Sequence, residues 1–210
     1  MLYIGLDVGK RFHYVVVMDQ AGAIQMSQRL PNDADLMRRF FQGLEGPCRV
    51  VMEATSNWMA VHDRVEPYVQ EVILAHPLKV RAIASARIKT DKIDATTLAH
   101  LLRAELIPQA YIPPQQVREW RELVRHRAFL VRLRTRLKNR IHSLLAKRGI
   151  QPPAYSDLFG VAGSRWLKTL ELPEPYAAIR TRYMAVLERL NQQIAEAEKT
   201  IDQTVQDTPE

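Results

Sequence analysis

The chain has one cysteine among its 210 residues, Cys48, so it forms no internal disulfide and suits a reducing, cytoplasmic setting. Cys48 sits in Gly46-Pro47-Cys48-Arg49, a turn entering a strand, where a structural thiol is expected rather than a nucleophile. No apolar run approaches the roughly 18 uncharged residues of a membrane span. No basic segment precedes an apolar stretch and cleavage site at the N-terminus, so neither a membrane partner nor a secretory signal is expected. The histidines, His13, His62, His76, His100, His126 and His142, are scattered without zinc-ligand spacing, and no metal role is expected of them. Thr55, Ser56 and Ser164 have no recognisable activating base beside them. Glycine is sparse as well, and no second glycine-rich phosphate loop follows the first ten residues. That weighs against an actin-like or sugar-kinase-like ATP-binding half, although such proteins also open on an apolar strand, an aspartate and a glycine.

Acids are missing from one long stretch. Between Arg118 and Arg148 only Glu119 and Glu122 oppose eleven bases, and the whole chain carries a net charge of +7. A one-signed stripe points to a polyanionic partner, most simply nucleic acid, with Arg125, Arg132, Arg134, Arg136, Lys138 and Arg140 as its candidate contacts. The chain is long enough, at 47% apolar residues, to bury a good core as one domain plus an appendage or as two small domains.

The order of elements reads as three strands, helix, strand, helix, strand, helices. Leu2 to Val8, Phe12 to Met18 and Ala23 to Leu30 form an antiparallel meander, and Asn32 or Asp33 is placed to cap a helix running to about Leu44. Arg49 to Ala54 is a short apolar strand ending in an acid. Thr55-Ser56-Asn57 is expected to cap a helix from Trp58 to about Tyr68, with a further strand at Glu71 to Ala75. Helices follow from Leu78 to Arg87 and from Asp91 to Glu105. A meander followed by parallel α/β units is the topology of ribonuclease H-like α/β folds, a mixed sheet flanked by helices. The proline-rich joint from Pro108 to Pro114 sets the expected boundary, giving a catalytic domain at 1–110 and a basic helical region at 111–210. There Leu123, Leu130, Leu137 and Leu144 recur every seven residues, and Tyr183, Leu187, Leu190, Ile194, Ala197 and Ile201 alternate at three and four. Both patterns predict coiled-coil helices, paired as a hairpin, on a second copy of the chain, or both.

Three stretches bring acids into unusual settings: MLYIGLDVGK with Asp7, VVMEAT with Glu53, and KTDKIDA with Asp91 and Asp94. Asp7 and Glu53 end strands that a rigid sheet holds at fixed spacing. Asp91 and Asp94, three apart at a helix start, project from one face beside a dipole that favours negative charge. Hard carboxylate oxygens of this kind suit one or two divalent cations, Mg²⁺ with Mn²⁺ as a substitute, for transfer at a phosphodiester. Each acid alone has an ordinary reading: a turn acid at Asp7, an N-cap at Asp91, a capping-box acid at Asp94. Lys10, Lys89 and Lys92 lie beside the acids and are candidate phosphate contacts.

GLDVGK, VMEAT and RIKTDKIDA, with LRTRLKNRIHSLL further on, closely resemble the signatures of the DEDD transposases. These are recombinases of one class of bacterial insertion sequences that includes the pilin-gene invertases. The likeness covers essentially the whole chain. It implies a RuvC-like N-terminal domain with Asp7, Glu53, Asp91 and Asp94 as catalytic metal ligands, a coiled coil used in dimerisation or higher assembly, and DNA as substrate. It also implies a structured guide RNA as partner and a C-terminal domain bearing a nucleophilic serine. The sequence stops at Glu210 before any such domain, so a fragment incomplete for strand exchange is expected. Other readings of the same residues are a stand-alone Holliday-junction resolvase or nuclease, and a non-catalytic nucleic-acid-binding dimer.

Overall fold

β1 (Leu2–Asp7), the first element of the chain, is the central strand of a five-stranded sheet. β2 (Phe12–Met18) and β3 (Ile24–Pro31) extend it antiparallel on one side, while β4 (Cys48–Glu53) and β5 (Glu71–Ala75) extend it parallel on the other. The order β3-β2-β1-β4-β5 is that of a mixed sheet consistent with ribonuclease H-like α/β architecture. This computed structural model describes residues 1–84 and 90–206. Lys89, singled out from the sequence as a phosphate contact, lies outside the described residues.

β1, β2, β4 and the end of β5 are apolar on both faces because helices cover both, whereas the edge strand β3 is mostly exposed. Ile4, Leu6, Val15, Val17, Val50 and Met52 pack with Met37 and Phe41 of α1 (Ala34–Gln42) and with Val61 and Val65 of α2 (Trp58–Val65). On the opposite face Val51, Ile73 and Ala75 pack with Val80 of α3 (Pro77–Ile83) and with Leu98, Leu101 and Leu102 of α4 (Asp91–Arg103). Asp33 caps α1, accepting from the backbone N–H groups of Asp35 and Leu36. α2 is shorter than its sequence pattern predicts: it ends at Val65, and a single 3-10 turn at Glu66–Tyr68, with Pro67 inside it, completes the segment.

The chain divides into two compact units, Met1–Ile112 and Pro113–Glu210. In the second unit α5 (Gln115–Lys147) and α7 (Tyr176–Gln206) pack antiparallel, with α6 (Val161–Thr169) between them in sequence. Their register advances in steps of seven. Arg127 pairs with Glu198 at 2.6 Å, Arg134 reaches Asn191 at 3.5 Å, and Ile141 shares a core with Met184 and Leu187. The Arg180 guanidinium closes the C-terminus of α6 by donating to the carbonyls of Leu167, Lys168 and Leu170. Among the described residues no helix is long and apolar enough to cross a membrane.

Candidate metal centre and nucleic-acid surface

Asp7 and Glu53 close adjacent parallel strands at the same level. The register pairs Leu6 with Met52, so the next residue on each strand is one of the two acids. Neighbouring strands run about 4.8 Å apart, and side chains alternate between faces. Ile4, Leu6, Val50 and Met52 take the face under α1 and α2, which leaves Gly5, Asp7, Val51 and Glu53 on the face under α4. Both carboxylates are half-buried at that edge.

α4 carries the other two acids to the same edge because it runs antiparallel to β1. Its middle lies on Gly5 so closely that a Cβ there would come within 1.9 Å of the Ala95 carbonyl oxygen and 2.7 Å of the Ala99 nitrogen. Its C-terminal Arg103 reaches the β2–β3 turn, where Nη1 donates to the Gln20 carbonyl at 3.5 Å. Its first turn therefore overlies the end of β1. Thr90 caps the helix, accepting from the Ile93 N–H at 3.2 Å. Asp91 is thus not the cap, and both acids stand in the first turn. Asp91, Asp94, Ala95 and Leu98 fall on one helical stripe, and the last two are buried against the sheet.

Asp7 and Asp91 line one cavity of about 310 Å³, together with Gly9, Lys10, Arg11, Phe12 and Tyr14. Glu53 and Asp94 approach the same edge but do not line that cavity. Lys92, also expected near substrate, is exposed and does not line it either. Arg11 was not singled out in the sequence, although it follows Lys10 directly. The donor set fits a hard divalent cation: β1 and α4 each give a carboxylate to the cavity, β4 ends in a third at the same edge, and neither thiolate nor imidazole is among the cavity-lining side chains.

A different trio has its ligand atoms close enough to share an ion. His62, Asp63 and Glu66 bring theirs within 4.8 Å of one another, which among the described residues no three of the four acids do. This group sits on α2 and the turn after it, against the other face of the sheet. The His62 Nδ1–H donates to Asp63 at 2.9 Å, while Asp63 and Glu66 are exposed. The histidine spacing concealed it, since two of its three members are carboxylates. Cys48 is buried at the start of β4, and desolvation pushes its thiol pKa up, the opposite of what a nucleophile needs.

The family model for the DEDD transposases of IS110 elements, described as a transposase, matches residues 4–148. The chain belongs to the IS110 DEDD transposase family. No curated protein matches it. Membership carries, at the family level, a transposase-type enzyme that acts on DNA and uses divalent metal. The matched span runs from β1 through α5, so it contains all four acids and the basic helix of this transposase.

On that helix the bases separate by what they touch. Arg127 and Arg134 turn to α7, through Glu198 and Asn191. The Lys138 ammonium lies 4.7 Å over the Phe159 ring, and Arg125 pairs with Glu122 of its own helix at 2.7 Å. Arg132, Arg136 and Arg140 recur every four residues, are exposed, and make no ion pair among the described residues. With Arg121 and Lys147, also exposed, they belong to the part of this basic helix that its own fold does not occupy.

Proposed function

We propose that this unit carries the metal-dependent phosphoryl-transfer step of DNA transposition, with Asp7, Glu53, Asp91 and Asp94 holding one or two Mg²⁺ ions. The observation that supports this most is the delivery of four carboxylates, from β1, β4 and α4, to one edge of one sheet face. The chemistry a divalent pair supplies there is activation of the attacking oxygen and neutralisation of charge on the phosphorane, and Mn²⁺ can substitute. The residues of the chain do the positioning. The β1–β4 ladder holds Asp7 and Glu53 at strand spacing, and the N-terminal dipole of α4 lowers the cost of gathering Asp91 and Asp94 beside them. Lys10 borders the same cavity and takes a substrate phosphate oxygen.

The strand order supports reading the first unit as a RuvC-like catalytic domain. The second is then a coiled-coil region that pairs two copies of the chain, and Val124 and Phe129 of α5 with Val186 of α7, all about half exposed, are among the apolar residues available to it. Arg132, Arg136 and Arg140 contact phosphates of DNA or of a structured guide RNA. In a reconstituted recombination assay, Asp7→Ala or Glu53→Ala is expected to lower product by about a hundredfold or more. Circular dichroism melts should stay within a few degrees of wild type. Recombination within a few fold of wild type for either variant overturns the reading.

A further inference from the structure

The turn that follows Asp7 is held more tightly than a surface turn requires. Three successive carbonyls, those of Gly9, Lys10 and Arg11, are each engaged by an asparagine from a distant part of the unit. Asn57 Nδ2 donates to the Gly9 carbonyl at 3.1 Å. Asn32 takes the other two: Nδ2 donates to the Lys10 carbonyl at 3.0 Å and its backbone N–H to the Arg11 carbonyl at 3.0 Å. The asparagines are braced in turn. Arg64 Nη1 donates to Asn32 Oδ1 at 2.8 Å, and the Thr55 hydroxyl donates to Asn57 Oδ1 at 3.3 Å. Gly9 permits the geometry, because a Cβ there would meet the Phe12 carbonyl oxygen at 2.2 Å.

Asn57 shows that this clamp is not simply stabilisation. It occupies the N-cap position of α2, yet its side chain makes no cap hydrogen bond. A capping asparagine stabilises a helix by about 1 kcal/mol, and here that contribution is forgone so that the amide can reach the turn. What the turn carries is Lys10 and Arg11, two exposed bases on the rim of the cavity that Asp7 and Asp91 line. Long basic side chains lose affinity to their own freedom, and a fixed backbone beneath them reduces that loss.

We propose that Asn57, Asn32 and Arg64 are positioning residues that hold Lys10 and Arg11 as a paired phosphate subsite for the nucleic-acid strand entering the cavity. The proposal rests on reading the cavity as a phosphoryl-transfer site. It adds Arg11 as a phosphate contact and assigns three residues that touch no substrate.

The test is the salt dependence of binding to a short fluorescein-labelled DNA duplex, by anisotropy with Ca²⁺ in place of Mg²⁺. Each lost phosphate contact lowers the slope of log K against log salt by about 0.9. Lys10→Ala/Arg11→Ala removes two charges and should lower the slope accordingly. Asn57→Ala removes no charge, yet it should lower the slope by about one, and it should have no further effect in the Lys10→Ala/Arg11→Ala background. Arg64→Met, which acts through Asn32, should behave the same way in that background. A merely structural role predicts an unchanged slope or equal losses in both backgrounds, and either result overturns the proposal. Calorimetry with Mn²⁺ tests the underlying reading separately. Asn57→Ala should keep wild-type Mn²⁺ affinity while Asp7→Ala loses it, and equal affinity in Asp7→Ala would remove the cavity reading itself.

Discussion

His13 is fully enclosed on β2, and among the described residues neither ring nitrogen has a hydrogen-bond partner of good geometry. Desolvation holds its pKa below the ordinary value. The nearby Asn32 amide favours the charged ring slightly, and Arg64 again opposes it. The folded form therefore stays neutral where the unfolded chain, titrating near pH 6.5, takes up a proton. Stability falls as pH drops below that value, by up to about 1.4 kcal/mol per unit until the folded ring also protonates. Urea unfolding at pH 7.5 and pH 5.0 should show a larger loss of stability for wild type than for His13→Leu. Parallel losses would show that His13 does not carry the acid sensitivity. At this scale the four acids were legible because each breaks a local pattern, an acid ending an apolar strand or two acids opening a helix. Arg11 was not, since nothing in its neighbours distinguishes a rim residue from a solvated one. Asn57 takes the N-cap position that the Thr55-Ser56-Asn57 stretch predicts, but its side chain goes instead to the Gly9 carbonyl, 48 residues away in sequence.

The seating of α4 on β1 decides whether the acids meet. Gly5, Ala95 and Ala99 are small so that helix and strand backbones touch, and the helix direction then follows from the contact of Arg103 with the β2–β3 turn. Gly5→Ala forces α4 outward, since no flexible side chain is there to yield. Destabilisation of about 3 kcal/mol in chemical denaturation is expected, together with weaker Mn²⁺ binding. A variant as stable as wild type would mean that the close approach is not required. The strands themselves were readable from β-branched runs bounded by turns: β2 and β5 fall where the pattern puts them. The end of α2 was less so, because Pro67 fits either a helix start or a 3-10 turn and the packing of Val65 decides between them. The seam of Gly5 with Ala95 and Ala99 was not legible, because small residues in two distant stretches carry no information about which of them face each other.

For the whole molecule the sum of charge matters less than where the bases remain exposed. Of the six bases on α5 that the sequence marks for nucleic acid, three are engaged: Arg134 with Asn191 of α7 and Lys138 with the ring of Phe159, which only the folded unit reveals, and Arg125 with Glu122 on its own helix. The triple variant Arg132→Ala/Arg136→Ala/Arg140→Ala should lower the salt slope of DNA or RNA binding by about 2.7, whereas Arg127→Ala and Arg134→Ala should act on melting temperature instead. Equal effects on binding from both sets would contradict this division.

The account turns on which carboxylates hold the ion. Crystals soaked in Mn²⁺ and measured at the manganese absorption edge answer that directly. An anomalous peak bounded by Asp7 and Glu53, with Asp91 or Asp94 completing it, is expected, as is loss of that peak in Asp7→Asn. A peak only at His62, Asp63 and Glu66, or ions found nowhere near the end of β1, would contradict it.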